Sequence, residues 1–279
     1  DPGATYELTL AKDGYGFIRE VTFWLAMPPV LLEAHVEKSG DAVRIRFNKA
    51  VALPAADRFV VTAGEGEDAV PVGVESVAYG EDSTEIVLRL AEAVPDHPIM
   101  LSGGGSPVVV AEDGGRLENL EAAPLLRLGN AADLAAYMRS RNKALGEIAE
   151  ALHEELGAGP ADIAAALRHS FGFERIAAEL RGLEPGLAAE EMAEIMAGLG
   201  LPGDEAARIL KNQFGKTAAE LPALLKAAGY VLADRIAALA QDPAVTPEEA
   251  AAVLAAAEAG AEDLISTLVF VLRVHYGAS

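Results

Sequence analysis

The stretch Ser39-Gly40-Asp41-Ala42-Val43-Arg44-Ile45-Arg46-Phe47 decides how the first half of this chain is read. Val43, Ile45 and Phe47 alternate with Arg44 and Arg46, so one side of the segment is apolar and the other cationic. A period of two is the signature of a half-buried strand. Ser39-Gly40-Asp41 supplies turn residues and predicts a hairpin back to Leu32–Glu37. Working outward, further strands are predicted over Arg58–Thr62, Val70–Ala78, Glu85–Leu90, Ile99–Ser102, Val108–Ala111 and Ala123–Arg127. Gly64-Glu65-Gly66-Glu67-Asp68, Gly80-Glu81-Asp82-Ser83 and Asp113-Gly114-Gly115 provide turns between them. Short strands at this spacing over about 100 residues predict a β-sandwich.

Pro29-Val30-Leu31-Leu32-Glu33-Ala34, followed by Val43-Arg44-Ile45-Arg46-Phe47-Asn48-Lys49-Ala50-Val51, resembles the opening of bacterial Ig-like domains found in S-layer and other cell-surface proteins. Ala56-Asp57-Arg58-Phe59-Val60-Val61, Glu85-Ile86-Val87-Leu88-Arg89-Leu90 and Glu112-Asp113-Gly114-Gly115-Arg116-Leu117 continue the resemblance in order, over residues 29–127. It implies an Ig-like β-sandwich and no catalytic residues. The family's last turn often reads Asp-x-x-Gly-Asn, whereas here Asn119 sits later.

Residues 1–28 form an extension before that domain. Tyr6, Leu8 and Leu10 alternate, as do Val21, Phe23 and Leu25, around a turn at Asp13-Gly14-Tyr15-Gly16. The extension is either an added hairpin or a strand that pairs with the sheet edge of a second subunit. In the second case Tyr6, Leu8, Leu10, Phe23 and Trp24 make the interface. The start at Asp1, without Met, reads as a trimmed end or one left after a removed leader.

Composition changes near residue 130. Residues 1–130 hold 16 Val and 17 Ala, and residues 131–279 hold 6 Val and 39 Ala. Valine suits strands and alanine helices. Apolar pairs recur at Ile148-Ala149, Ile163-Ala164, Ile176-Ala177, Met192-Ala193, Ala206-Ala207, Ile236-Ala237, Ala250-Ala251 and Leu264-Ile265, with Leu221 in the gap. The spacing of 13 to 16 residues predicts one short helix and one tight turn per unit. Leu152-His153-x-x-Leu156-Gly157, Leu167-Arg168-x-x-Phe171-Gly172, Leu210-Lys211-x-x-Phe214-Gly215 and Leu272-Arg273-x-x-Tyr276-Gly277 share one ending. Glycine there is expected to take the left-handed conformation that stops a helix, and the basic residue to complement its dipole. Helices this short need stacking, so residues 131–279 are predicted to form an all-α bundle or solenoid. Leu210–Gly215 and Leu225-Lys226-Ala227-Ala228-Gly229-Tyr230 resemble the alternating units of short-helix repeats in Firmicute surface proteins.

The chain of 279 residues carries 22 basic and 43 acidic side chains, a net charge of −21. The excess is −11 over residues 1–130 and −10 over 131–279, so it marks no single tail or site. Such charge opposes nucleic acid and anionic membrane surfaces. No apolar run reaches the roughly 18 residues that span a bilayer. The absence of cysteine excludes disulfides and thiolate chemistry. Asn and Gln together number seven, which suits a thermophile.

Motifs for catalysis are missing. His153-Glu154-Glu155 begins like a zincin helix, but Gly157 stands where the second histidine belongs. Neither a Gly-x-Ser-x-Gly elbow nor a phosphate-binding loop occurs. Glu65, Glu67, Asp68, Glu81 and Asp82 lie in acidic turns and are the weak calcium candidates, calcium being the one cofactor they suit. Trp24, Tyr15, Phe17 and Tyr79 could stack on sugars.

The expectation is a secreted, extracellular or cell-surface protein without enzymatic activity that self-assembles, as a homo-oligomer or polymer, into a layer or filament. The alternative is a module binding carbohydrate or cell-wall polysaccharide within a larger secreted protein. A hydrolase with an unrecognised carboxylate pair is the third reading.

Overall fold

The computed structural model describes residues 26–64, 69–94, 98–240, 245–257 and Val269. The first half is built of β1 (Leu31–Val36), β2 (Ala42–Phe47), β3 (Phe59–Ala63), β4 (Val70–Val72), β5 (Val74–Tyr79), β6 (Glu85–Leu90), β7 (Ile99–Gly103), β8 (Val109–Val110), β9 (Arg116–Leu117) and β10 (Ala123–Arg127). Eight of these form one ladder in the order β4-β3-β7-β10-β1-β2-β6-β5, and β8 pairs with β9. Every pairing is antiparallel except β1 with β10, which is parallel. The apolar side of β2 points where its alternation predicts. Val43 and Ile45 are fully enclosed, with Phe47 beside them, and they pack with Ile86, Leu88, Ile99 and Leu101 in one core. Each such side chain stabilises the fold by about 1.5–3 kcal/mol through burial. Gly40 turns the hairpin with φ +76, and its amide donates to the Glu37 carbonyl at 2.9 Å.

The β plus α division expected from the sequence holds, but the sheet is barrel-like rather than two separate leaves. The segment Val70–Ala78, predicted as one strand, is divided at Gly73. Val72 still pairs with β3, whereas Val74 pairs with β6. The outermost strands of the ladder are therefore joined by a single residue, and the sheet curls round the core to meet itself there. Pro71, which has no N–H to give, sits on edge strand β4, the place a sheet tolerates it.

The second half holds, among the described residues, α1 (Ala131–Ser140), α2 (Leu145–Leu156), α3 (Pro160–Leu167), α4 (Phe173–Leu183), α5 (Ala189–Gly198), α6 (Gly203–Phe214), α7 (Leu221–Ala227), α8 (Leu232–Ala240) and α9 (Pro247–Ala257). Among the described residues, those that repeat in sequence build its core: Ile148, Ala149, Ala164, Ile176, Ala177, Met192 and Ala206 are fully enclosed, whereas Leu264-Ile265 and the ending Leu272-Arg273-x-x-Tyr276-Gly277 lie outside the described residues. Helix α1, absent from the predicted units, adds Leu134 and Ala135. Each helix packs on its second neighbours, α1 on α3, α2 on α4, α3 on α5, α4 on α6, α5 on α7, α6 on α8 and α7 on α9, and most pack on their first neighbours too. Odd helices thus make one layer and even helices the other, the arrangement of a two-layer solenoid. The repeating unit is a pair of helices, not the single one the spacing suggests.

The shared helix ending has a second use. Gly157 and Gly215 take φ +64 and +66 and stop α2 and α6 as expected. Gly172 does not: at φ −63 it opens α4. Two basic residues of the shared ending, His153 and Arg168, and likewise Arg139 at the end of α1, reach across the stack. Arg168 Nη1 donates to the Leu199 carbonyl at the end of α5, at 2.8 Å. Arg139 bonds the Ser170 hydroxyl after α3, and His153 faces Glu184 after α4 at 3.9 Å. All three links join residues 31 apart. Unpaired carbonyls at a helix end need donors, and Arg168 supplies one to the next odd helix rather than to its own.

Candidate functional site

Three residues, Leu128-Gly129-Asn130, separate β10 from α1. The Leu128 amide donates to the Val36 carbonyl at 3.0 Å, extending the β1–β10 pairing past the end of the strand. The Asp133 carboxylate accepts the Arg127 amide at 2.9 Å. Asn130 Oδ1 accepts from the amides of Ala132 and Asp133 at 2.9 and 3.2 Å, capping α1. Side chains also cross the junction: Lys38 pairs with Glu155, and Arg141 Nη1 lies 2.7 Å from Glu33 Oε2.

These contacts frame a polar pocket of about 410 Å³ between the sheet and α1. Its walls are the outward residues of neighbouring strands, Glu33 and His35 from β1, Arg44 and Arg46 from β2, Glu81 and Glu85 from the β5–β6 turn and the start of β6, with Tyr137 from α1 and Arg141 just after it. The two arginines that alternate with the core of β2 therefore share a pocket with Tyr137 and Arg141 and are half-buried.

Ion pairs occupy most of this charge. Arg44 Nη2 and Nε lie 2.6 and 3.2 Å from Glu37 Oε1, and its Nη1 bonds Glu85. Glu85 is itself buried. Arg141 holds Glu33 and lies over the Tyr137 ring, 5.8 Å from its centre. His35 is only 6% exposed and tilts against Tyr137 with ring centres 5.0 Å apart. Its Nδ1 sits 3.2 Å from Glu33 Oε1, close enough for an ion pair but misaligned for a hydrogen bond. Burial pushes the His35 pKa below its usual 6.5 against the opposing pull of Glu33. Burial and then Glu33 raise the Tyr137 phenol.

Of the acidic turns, Glu81 reaches this pocket and Asp82 does not. Asp82 Oδ1 accepts from Thr84 Oγ1 at 2.5 Å and from its amide at 2.7 Å, so the turn uses it, and the same two bonds lower its pKa. Glu65, Glu67 and Asp68 lie outside the described residues, as do Tyr6, Leu8, Leu10, Tyr15, Phe17, Phe23 and Trp24. Among the described residues no group of three or more His, Asp or Glu is placed to hold a metal ion. Tyr79 is 45% exposed, and its hydroxyl donates to the Val51 carbonyl at 3.1 Å. No motif in the sequence marks the pocket. Its only trace in sequence is the pair Arg44 and Arg46 on the polar side of a strand, flanked by Glu33 and Glu85 on the neighbours.

No helix among the described residues is long and apolar enough to cross a membrane. No family model matches the chain, and no curated protein matches it. Solved structures are similar over 36% of it. They include a crystal structure of the N-terminal part of the bacterial S-layer protein SbsC, at 15% identity and TM-score 0.30, with 23% of that chain covered. The structure of surface layer protein SbsC, domains 1–6, is similar at 15% identity and TM-score 0.28, with 13% of that chain covered. Each of these likenesses spans less than a quarter of the other chain, and scores of this size do not establish a shared fold.

Proposed function

We propose that this chain is a structural module of an extracellular surface layer, an Ig-like domain joined rigidly to an α-solenoid, which associates with copies of itself. The observation that carries the reading is the junction. Three residues connect the halves, and backbone bonds, a helix cap and crossing ion pairs hold them. A building block of an ordered array needs such a fixed angle between its parts, because a free hinge would scatter its contacts. What supports the Ig-like assignment of the β part is the parallel pairing of its first and last strands within an otherwise antiparallel ladder. The spread of acidity over both halves suits a protein kept soluble before it assembles. Negative-stain microscopy and sedimentation of the full chain, with and without calcium, test the reading. Ordered sheets or filaments are expected. A chain that stays monomeric across the whole concentration range in both conditions overturns it. Deletion of residues 1–12 then reports whether the extension carries the contact.

A further inference from the structure

Once the ion pairs of the junction pocket are assigned, two charged groups remain. Arg44 is held by Glu37 and Glu85, and Arg141 by Glu33. Arg46 and Glu81 line the same pocket, and neither side chain has an ion-pair or hydrogen-bond partner among the described residues. Arg46 is half-buried, and its charge is felt by exposed Asp82, with no direct contact. His35 also lines the pocket and is more than nine-tenths buried, with its Nδ1 enclosed against Glu33.

We propose that the junction pocket binds a small zwitterion, a free amino acid or an amino-acid-like group, with its carboxylate on Arg46 and its ammonium on Glu81. A half-buried guanidinium is poorly hydrated and offers a fork that matches a carboxylate. An unpaired carboxylate across the same cavity repels a simple anion and attracts an ammonium. The pair therefore selects for a ligand carrying both signs over a ligand carrying one. A volume of about 410 Å³ is at the small end of ligand sites, which suits one amino acid and its side chain rather than a polymer. The Tyr137 ring supplies the apolar wall. This inference does not depend on the surface-layer reading, since a monomer would bind equally well.

Amide chemical shifts of the full chain, titrated separately with L-alanine, acetate and methylammonium at low salt, test the proposal. L-Alanine is expected to shift the amides around Glu33, Arg46, Glu81 and Tyr137 saturably. Acetate and methylammonium are expected to bind at least tenfold more weakly. Arg46→Gln and Glu81→Gln should each weaken L-alanine at least tenfold while the rest of the spectrum stays native, because neither substitution strands a partner. Glu75→Gln, on exposed β5, should change nothing. Acetate binding as tightly as L-alanine overturns the zwitterion and leaves an anion site. The absence of saturable shifts with all three probes, or unchanged L-alanine binding in both variants, overturns the site.

Discussion

Gly129 shows how little room the junction leaves. A Cβ placed on it would lie 2.7 Å from the backbone carbonyl oxygen of Lys38, closer than carbon and oxygen pack. Gly129→Ala is therefore expected to lower stability by about 1–3 kcal/mol, as overpacking does, read from the urea midpoint. Gly182, inside α4, has nothing within 4 Å of its Cβ position. Gly182→Ala should raise stability by about 0.5–1 kcal/mol through helix propensity; equal effects of the two changes would sink this account. His35 gives the junction a pH dependence. Its folded pKa is below the unfolded 6.5, so the unfolded chain binds the proton first as pH falls. Stability from this group is present above about pH 6.5 and declines below it, by no more than about 1.4 kcal/mol per pH unit. His35→Gln should remove that part of the slope between pH 7 and pH 5, and an unchanged slope would assign it elsewhere. In the sequence Arg44 and Arg46 could be placed on the polar side of a strand. What they face could not, because α1 is brought over them by a turn at residues 128–130 whose geometry rests on long-range contacts with Val36 and Lys38.

At the level of elements, several helices start without a side-chain cap. Ala144 precedes α2 in an extended conformation, φ −71 and ψ 157, and its amide already donates to Glu147 at 2.9 Å. Half of a capping box is thus in place. Ala144→Ser supplies the missing acceptor and should stabilise the chain by about 0.5–1 kcal/mol in thermal or urea unfolding; a loss of stability would mean that the Ala144 methyl packs better than a hydroxyl can bond. The helices themselves are legible because apolar residues that they bury recur at a regular interval. Their pairing into two layers was not, since a period of one helix says nothing about which neighbour it touches. The links of 31 residues, Arg168 to Leu199 among them, do carry that information, but in sequence an arginine at a helix end is explained equally well by its own dipole. The division of Val70–Ala78 was hidden for a similar reason: both pieces alternate correctly, and only their partners differ.

For the whole molecule, the short connection between β10 and α1 predicts coupled stability. The helices nearest the sheet share backbone and side-chain bonds with it, whereas α9 lies several packing steps away. Replacing Gly129-Asn130 by ten Gly and Ser residues should split the unfolding transition into two, one for each half, followed by circular dichroism and tyrosine fluorescence. A single unchanged transition would show that the short connection is not what couples the two halves. The change in composition near residue 130 made the two halves visible in advance, but the pocket between them is a product of their contact and has no motif of its own. The parallel pairing of β1 with β10 has one more consequence. These strands run side by side in the same direction, with His35 opposite Leu126 and Val36 opposite Arg127, and they lead to opposite ends of the domain. Tension applied through the chain pulls β1 backward and β10 forward. The hydrogen bonds between them, Leu128 to Val36 included, are then loaded in shear and must yield together, whereas a hairpin pulled at its open end gives way one bond at a time. The domain is built to resist stretching along the very axis on which its neighbours in the chain would pull.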